Sequence, residues 1–374
     1  MKYWTASLLP VLAVTLSMTA RSAPADDIPL GISEGFIASS IDRVAPEKYC
    51  VSGRVLDDTG STQTALVMLV DISLERVVWK TGLSPQRPNV GNYALRCASG
   101  HDAYYVLTQE QTHTEESLNQ TSVVLNKLGP DGKLLQRQPI GAGFDEWSYL
   151  LDVEGDRIAV AGGVNSALRR EGTFSTFVAR FDSQLARTGL IQMDSGAFWT
   201  GTRAMLSGSQ LRVAGRFFPN GNGPAGDGLS FAVSRIDLDK KRYLSSTYVS
   251  PPDERGNASV FGNDGTAYYV ATTPTQLAVV VVSPAGNVIQ KFTASKVVCD
   301  LTAIGVRGTT IDVIGKTCDN AEASTLAEIN LSTERATLKR RIAGDVSIAR
   351  FEGDTRVSVA GTSDRGFVLL RDAQ

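Results

Sequence analysis

The sequence is poor in residues on which many enzymes and nucleic-acid-binding proteins depend. Only two histidines, His101 and His113, occur in 374 residues, which argues against histidine-ligated metals and against a Ser-His-Asp triad. The 37 basic and 39 acidic side chains give a net charge of −2, so the chain has no overall field that would attract nucleic acid. We therefore expect no metal site and no nucleic-acid partner.

Long apolar runs are missing except at the start of the chain. Lys2 precedes an apolar stretch over residues 8–18 that is too short to span a bilayer, and Ala23 and Ala25 match a small-x-small cleavage pattern. We predict a signal peptide over residues 1–25 and a periplasmic or secreted protein over residues 26–374. The alternative is an N-terminal membrane anchor that is retained.

The four cysteines, Cys50, Cys97, Cys299 and Cys318, all lie in the mature part of the chain. An even number of cysteines behind a signal peptide is typical of disulfides. A tight turn centred on residues 308–309 would place Cys299 opposite Cys318 across two antiparallel strands, which leaves Cys50 to pair with Cys97. Zinc binding is the alternative, but the sequence has no Cys-x-x-Cys spacing.

A short β-type motif recurs along the mature chain at a spacing of about 50 residues. It begins with a turn that contains Gly or Asp and continues with alternating apolar residues. It ends in Val, a small residue and Gly, and two degenerate copies have Thr in place of Gly. The valines that mark the copies are Val51, Val106, Val160, Val213, Val270, Val313 and Val359. Further apolar segments flank each copy, so each repeat is predicted to form four antiparallel strands, as in a blade of a β-propeller.

The repeats predict an all-β protein, a seven-bladed β-propeller that forms a single domain. The last repeat runs out after its third strand, and residues 28–32 precede the first repeat. We therefore expect an N-terminal strand to close the last blade and to cover its open edge. A three-stranded last blade is the alternative for this region, and a pair of β-sandwiches is the competing architecture.

Three segments resemble the quinoprotein-like (PQQ-like) repeats of secreted bacterial propellers. Residues 69–80 are similar to the Asp-x-x-x-Gly-x-x-x-Trp end of such a repeat, and residues 125–133 and 283–287 have its turn character. The resemblance implies propeller architecture over nearly all of the mature chain. Dehydrogenases of this group carry eight tryptophan-bearing motifs, whereas tryptophan ends only one of the repeats here, at Trp79. We therefore expect no cofactor.

Candidate site residues gather at one end of the predicted blades. In a propeller, the connections between second and third strands lie on the same face as the starts of the first strands, and we call this the top face. Five carboxylates are predicted on its rim: Asp145, Glu146, Asp253, Glu254 and Asp345. Because Trp and Arg often anchor a partner, we predict a binding site that consists of Glu146, Trp147, Trp199, Arg203 and Arg255.

The predicted second-to-third loops are unequal in length. The long ones cluster in the first four repeats, over residues 55–64, 109–121, 163–175 and 217–230. Since loops on a rigid scaffold often carry binding function, we predict a non-catalytic, monomeric propeller that binds a macromolecule, either a protein or a polysaccharide. Neutral drift in loop length is the alternative for the loops. The alternative function is a propeller hydrolase or lyase that uses the rim carboxylates.

Overall fold

The computed structural model describes the chain from Asp26 to Ala373 with internal gaps. The gaps are residues 33, 61, 87–89, 113–120, 166–172, 195, 199–201, 220–229, 250–255, 320–322, 343, 354 and 363–365. The predicted signal peptide, residues 1–25, lies outside the described residues. No described residue belongs to a helix, and in this part of the chain nothing has the length and hydropathy of a membrane-crossing helix.

The described chain forms 29 β-strands, β1 to β29 in chain order. β1 to β9 are Asp26–Pro29, Phe36–Ala45, Lys48–Leu56, Gln63–Asp71, Arg76–Leu83, Val90–Ser99, Tyr104–Thr112, Thr121–Leu128 and Leu134–Pro139. β10 to β18 are Phe144–Glu154, Arg157–Asn165, Phe174–Asp182, Arg187–Met193, Gly196–Phe198, Arg203–Ser207, Gln210–Pro219, Ser230–Asp237 and Arg242–Val249. β19 to β29 are Gly256–Phe261, Ala267–Thr272, Gln276–Val282, Val288–Ser295, Asp300–Arg307, Thr310–Lys316, Ser324–Asn330, Arg335–Ile342, Asp345–Glu352, Thr355–Thr362 and Gly366–Ala373.

The strands pair mainly with their neighbours in the chain, in antiparallel groups of four. Hydrogen bonding gives five four-stranded sheets and one nine-stranded sheet. The larger sheet contains two groups, β10 to β13 and β15 to β18, because the short strand β14 pairs in parallel with β12 and antiparallel with β16. We number the groups along the chain, from the first group, β2 to β5, to the last group, β27 to β29 together with β1.

The marker valines occupy equivalent places in this architecture. Each lies in the second strand of its group, in β3, β7, β11, β16, β20, β24 or β28, and all seven are completely buried. Alternating side chains of a strand point to opposite faces of its sheet, so each valine is packed between its own sheet and a neighbouring one. The valine that recurs in the sequence therefore marks a position that is buried in every group of strands.

The hydrophobic core lies between consecutive groups. One cluster, for example, joins Val67 and Leu69 of the first group to Val106 and Leu128 of the second. Trp79 packs in the same junction, and the indole leaves no room for a Cβ on Gly132, which has a φ of +80°. Trp79 thus fixes the first group against a turn of the second.

The two ends of the described chain meet in one sheet. β1 pairs antiparallel with β29, with Ile28 opposite Leu369, and the amide of Leu30 donates to the carbonyl of Phe367 at 2.9 Å. Ile28 and Leu30 are buried in a cluster with residues of the first and last groups. The expected N-terminal strand therefore forms, and it covers the outer edge of β29.

Both predicted disulfides are confirmed. Cys50 is bonded to Cys97 with their Cα atoms 6.0 Å apart, and Cys299 is bonded to Cys318 with their Cα atoms 4.9 Å apart. The predicted register around the second bond changes at a bulge between Leu301 and Ala303, so Cys299 is displaced by one residue from the position facing Cys318. Both cysteines lie just beyond the ends of β23 and β24, where the backbone accommodates this offset.

Candidate functional site

The structure separates the predicted site residues into different environments. Glu146 and Trp147 lie on β10, and Arg203 begins β15. Trp199 and Arg255 lie outside the described residues, as do the predicted rim carboxylates Asp253 and Glu254 and the histidine His113.

The carboxylate of Glu146 is buried and bonded to backbone amides. It accepts hydrogen bonds from the amides of Val123, at 3.0 Å, and Gly143, at 3.2 Å, and a further one from the amide of Ala142. Burial raises the pKa of the carboxyl group, and the three amide bonds and the charge of Arg187 oppose that rise. The side chain therefore holds β10 against the second group.

An amide side chain does the same work at the preceding junction. Asn92, on β6, accepts from the amide of Ala65 at 2.8 Å and donates to the carbonyl of Leu83 at 2.7 Å. Both Asn92 and Glu146 stand near the start of a first strand, and both bind the first residues of the preceding group's third strand. This equivalence indicates that Glu146 has a structural role in the sheet packing.

Trp147 also points into the protein. Its side chain is 6% exposed, and the indole Nε1–H donates to the carbonyl of Phe198 at 2.6 Å. The ring lies so close to Gly163 that an added Cβ there would approach it to 2.3 Å. Trp147 thus ties β10 to the short strand β14.

The remaining described candidates are dispersed. Asp145, with a φ of +49°, accepts a long hydrogen bond of 3.4 Å from the amide of Thr121, while Asp345 lies 3.2 Å from the ammonium group of Lys316 in another group of strands. His101 is an exposed turn residue paired with Asp102 at 2.8 Å, and that carboxylate raises the histidine pKa. Within the described ranges, no three His, Cys, Asp or Glu residues are placed to share a metal ion.

A polar cavity of about 780 Å³ lies where the first strands of all the groups face one another. Its wall includes residues of β2, β6, β10, β15, β19, β23 and β27. Gly262, Asn263, Gly308 and Gly353 also line it, and these residues belong to turns between first and second strands. The cavity therefore reaches the face opposite the top face, which we call the bottom face.

Asp42 is the central carboxylate of this cavity. Its Oδ2 atom accepts from the hydroxyl of Ser40 at 2.7 Å and from the amide of Cys97 at 2.9 Å. Its Oδ1 atom faces two guanidinium groups, with Arg96 at 3.3 Å and Arg350 at 4.0 Å. Oδ1 of Asp42 therefore lies within ion-pair distance of two arginines.

A second carboxylate, Glu352, lies at the bottom end of the cavity and already has three partners. Arg350 donates to it at 2.6 Å, Arg43 lies at 3.4 Å, and the hydroxyl of Tyr49 donates to it at 3.0 Å. Burial, followed by the bond to Glu352, raises the pKa of Tyr49 to about 12. Glu352 therefore binds side chains of both the first group of strands, Arg43 and Tyr49, and the last group, Arg350.

Arg203 stands on the cavity wall without such a pairing. No carboxylate of the described residues forms an ion pair with it within 4.0 Å. The charge of Arg96, burial and the charge of Arg350 lower the pKa of Arg203, and only Asp42 acts in the opposite direction. The cavity therefore has an excess of positive charge around Arg203.

The sequence reasoning found Arg203 but missed Arg96, Arg350 and Asp42. A usable signal was present, because Arg96 and Arg203 each stand one residue before the strand partner of a marker valine, Val106 and Val213 respectively. Residues at equivalent repeat positions converge around the cavity. Aligning the repeats on the valines would have brought these two arginines together.

The sequence also contains one Gly-x-Ser-x-Gly pentapeptide, at residues 31–35. In hydrolases this pattern places a serine on a sharp turn between a strand and a helix. Here the segment connects two strands, β1 and β2, and Ser33 itself lies outside the described residues. The pattern is therefore not in the structural context that gives it catalytic meaning.

Solved structures with a similar fold include a β-propeller domain. The propeller domain of the Trilobed protease from Pyrococcus furiosus matches 92% of this chain and 95% of its own, with 7% identity and a TM-score of 0.51. A puromycin hydrolase matches 94% of this chain with 12% identity and a TM-score of 0.54, but this chain spans only 55% of that protein. A protein from Lactobacillus plantarum matches 82% of this chain and 84% of its own, with 15% identity and a TM-score of 0.51.

These likenesses show the fold alone, because all three identities are low. The prediction of an all-β propeller is confirmed at this level. No family model matches the sequence, and no curated protein matches it significantly. The quinoprotein-like character of the repeats stays a resemblance of the sequence.

Proposed function

We propose that residues 26–374 form one seven-bladed propeller domain after removal of a signal peptide over residues 1–25. The first strands support this count, since β2, β6, β10, β15, β19, β23 and β27 each contact the next, and β27 contacts β2. An experimental structure of the mature protein tests the proposal, and six or eight blades around the axis would contradict it.

The proposed compartment is the periplasm or the extracellular medium. The two disulfides support an oxidising environment, because the cytosol keeps most thiols reduced. Mass spectrometry of the exported protein should give an N-terminus at Asp26. A protein that keeps residues 1–25 and remains in the cytosolic fraction would contradict this assignment.

The function that we propose is non-catalytic binding of a macromolecular partner, a protein or a polysaccharide, by the top face. The observation that carries it is the inequality of the connections between second and third strands. The three longest span residues 113–120, 166–173 and 220–229 in the second, third and fourth groups, and the others span residues 57–62, 273–275, 317–323 and 363–365. Longer connections on one side of a rigid scaffold provide a one-sided surface for recognition.

Within this proposal, the predicted site residues divide into two roles. Trp199 and Arg255 are the candidates for contact with the partner, since Trp and Arg commonly anchor interfaces. Glu146 and Trp147 support that face from within, because their polar atoms bind backbone groups of neighbouring strands. Arg203 belongs to the cavity that reaches the bottom face.

A loop-shortening experiment tests the proposal. The mature protein is immobilised and exposed to envelope extract and to a glycan array, in parallel with a variant in which residues 113–120 are replaced by a short turn. Binding that is lost in this variant and kept in a variant altered at residues 273–275 would support top-face recognition by the longer loops. Equal binding by both variants, each shown to be folded by circular dichroism, would contradict it.

The alternative function is hydrolysis, and one comparison favours it. The chain is similar in fold to part of a puromycin hydrolase. We choose Asp145 for this test because replacement of Glu146 would also disturb the packing of β10, and a loss of activity could then come from a loss of structure. Turnover of ester, amide or glycoside substrates that is lost in Asp145→Asn, with unfolding unchanged, would favour the enzyme.

A further inference from the structure

The charged residues that line the bottom-face cavity are equal in number but unequally paired. Arg96, Arg203 and Arg350 line its wall with Asp42, Asp264 and Glu352. Asp264 accepts hydrogen bonds from the amide and the hydroxyl of Thr266, and Glu352 is also bound to Arg43 and Tyr49. Neither of these two carboxylates forms an ion pair with Arg203. A partly buried cation without a compensating charge is costly. The positive charge of Arg203 is therefore not balanced by an ion pair with a carboxylate of the described residues.

We propose that this cavity is a binding site for a small organic oxyanion, a carboxylate or a phosphate monoester, held by Arg203 together with Arg96 and Arg350. The site lies at the opposite end from the top-face loops, so this inference goes beyond the proposed function and can fail independently of it.

The chemistry of the cluster selects an oxyanion over other ligands. Guanidinium groups present planar sets of donors that match carboxylate and phosphate oxygens. Asp42 orients Arg96 by one contact at 3.3 Å and lies 4.0 Å from Arg350, while its other oxygen is engaged by Ser40 and Cys97. The carboxylate therefore positions the arginines without neutralising all of them.

The rest of the wall indicates that the anion carries an apolar body. Three partly exposed apolar residues share the lining with the charged cluster: Leu151, Phe261 and Phe351. A cavity of about 780 Å³ lies within the range of roughly 300–1,000 Å³ that holds small organic ligands. Phenyl phosphate and benzoate are therefore suitable probes, and benzamide is their uncharged counterpart.

Isothermal titration of the full mature protein with these three probes, at low ionic strength, tests the proposal. We expect phenyl phosphate or benzoate to bind and benzamide to bind much more weakly. Added sodium chloride should weaken the binding, because charge pairing is screened by salt. Binding of phosphate alone or of carboxylate alone would support the site and identify the headgroup.

Arg203→Met is the decisive variant, because methionine keeps most of the length of the side chain and removes the charge. Its affinity for the bound probe should fall by about tenfold or more, as expected for the loss of charge-assisted hydrogen bonds. Arg157→Met is the matched control, since Arg157 is an exposed arginine outside the cavity, and its affinity should equal that of the wild type.

Two results would overturn the proposal: no binding of either anion by the wild-type protein, or equal binding by wild type and Arg203→Met. If Arg203→Met does not fold, Arg203→Lys replaces it. Lysine keeps the charge but loses the planar donor set, so an affinity unchanged in Arg203→Lys and equally strong binding of benzamide would also contradict the site.

Discussion

The second group of strands has two junctions that are built on different principles. Toward the first group, it is joined by the Cys50–Cys97 disulfide and by Asp42, whose carboxylate binds one backbone amide and faces two arginines. Toward the third group, it is joined by Glu146, whose carboxylate accepts hydrogen bonds from three backbone amides. Asp42 lines the charged cavity, whereas Glu146 does not, and we call the junction that Glu146 makes the sealed junction.

The difference shows how a buried carboxylate can be interpreted. A carboxylate that meets only backbone amides is committed to packing, because the backbone groups of neighbouring strands occupy its oxygens. A carboxylate that shares one oxygen between guanidinium groups sets the charge of a cavity instead. By this criterion, Glu146 is a packing residue and Asp42 is a positioning residue for the arginines.

Removal of the covalent link should have the largest effect on the first junction. The Cys50–Cys97 bond closes 47 residues of sequence and the Cys299–Cys318 bond closes 19. Replacing Cys50 and Cys97 by Ala should lower the free energy of unfolding by about 4 kcal/mol, and replacing Cys299 and Cys318 by about 3 kcal/mol. Denaturant unfolding of both variants measures this, and the reverse order would contradict a cross-link that acts through chain entropy.

Removal of the Glu146 carboxylate from the sealed junction should lower the free energy of unfolding by nearly as much. Glu146→Ala leaves the amides of Val123, Ala142 and Gly143 without their carboxylate, so we expect the free energy of unfolding to fall by about 3 kcal/mol. Asn92→Ala, at the equivalent place in the other junction, should cost about 2 kcal/mol. Urea titration followed by tryptophan fluorescence checks both values, and a neutral Glu146→Ala would remove the structural assignment.

Changing the charge at the cavity should affect stability less and binding more. In Asp42→Asn, the amide oxygen can still accept hydrogen bonds from Ser40 and Cys97, so the loss of stability should be about 1 kcal/mol. The variant should bind phenyl phosphate several-fold more tightly, because a competing negative charge has been removed. Weaker binding would show that Asp42 contributes more by holding the arginines than it subtracts by its charge.

The smallest effect is a pH dependence of the sealed junction. Burial raises the pKa of Glu146 above its ordinary value of 4.5, so the folded protein binds this proton more tightly than the unfolded chain. The contribution of Glu146 to stability therefore decreases as pH rises from 4.5 through the raised pKa. In Glu146→Gln this slope should disappear from the unfolding free energies, while in Asp42→Asn it should persist.

The parts of the fold that could be predicted are those recorded in short stretches of sequence. The alternation around Val160 or Val313 specifies a buried strand, and the separation of Cys299 from Cys318 across a turn specifies a bond. The bulge near Leu301 could not be predicted, because it changes the register without changing the residue types. The strand β14, which joins two groups of strands through Gly196, has no counterpart among the described strands of the other repeats, so their pattern did not predict it.

The candidate site was harder to predict for two reasons. The partners of Glu146 are backbone amides, which every residue type except proline carries, so no pattern of residue types predicts these hydrogen bonds. Arg96, Arg203 and Arg350 lie far apart in the chain, and they meet only because the first strands converge. Their meeting can be predicted from the sequence only after the repeats have been aligned.

The pairing of β1 with β29 has a kinetic consequence. Among the described strands, β1 is synthesised first and β29 last, so the backbone groups of β1 have no strand partner until synthesis is nearly finished. Until then both edges of β1 are open to wrong partners, including the same strand of another copy. Chaperone protection should therefore matter most late in synthesis and transport, when nearly every other sheet can already form.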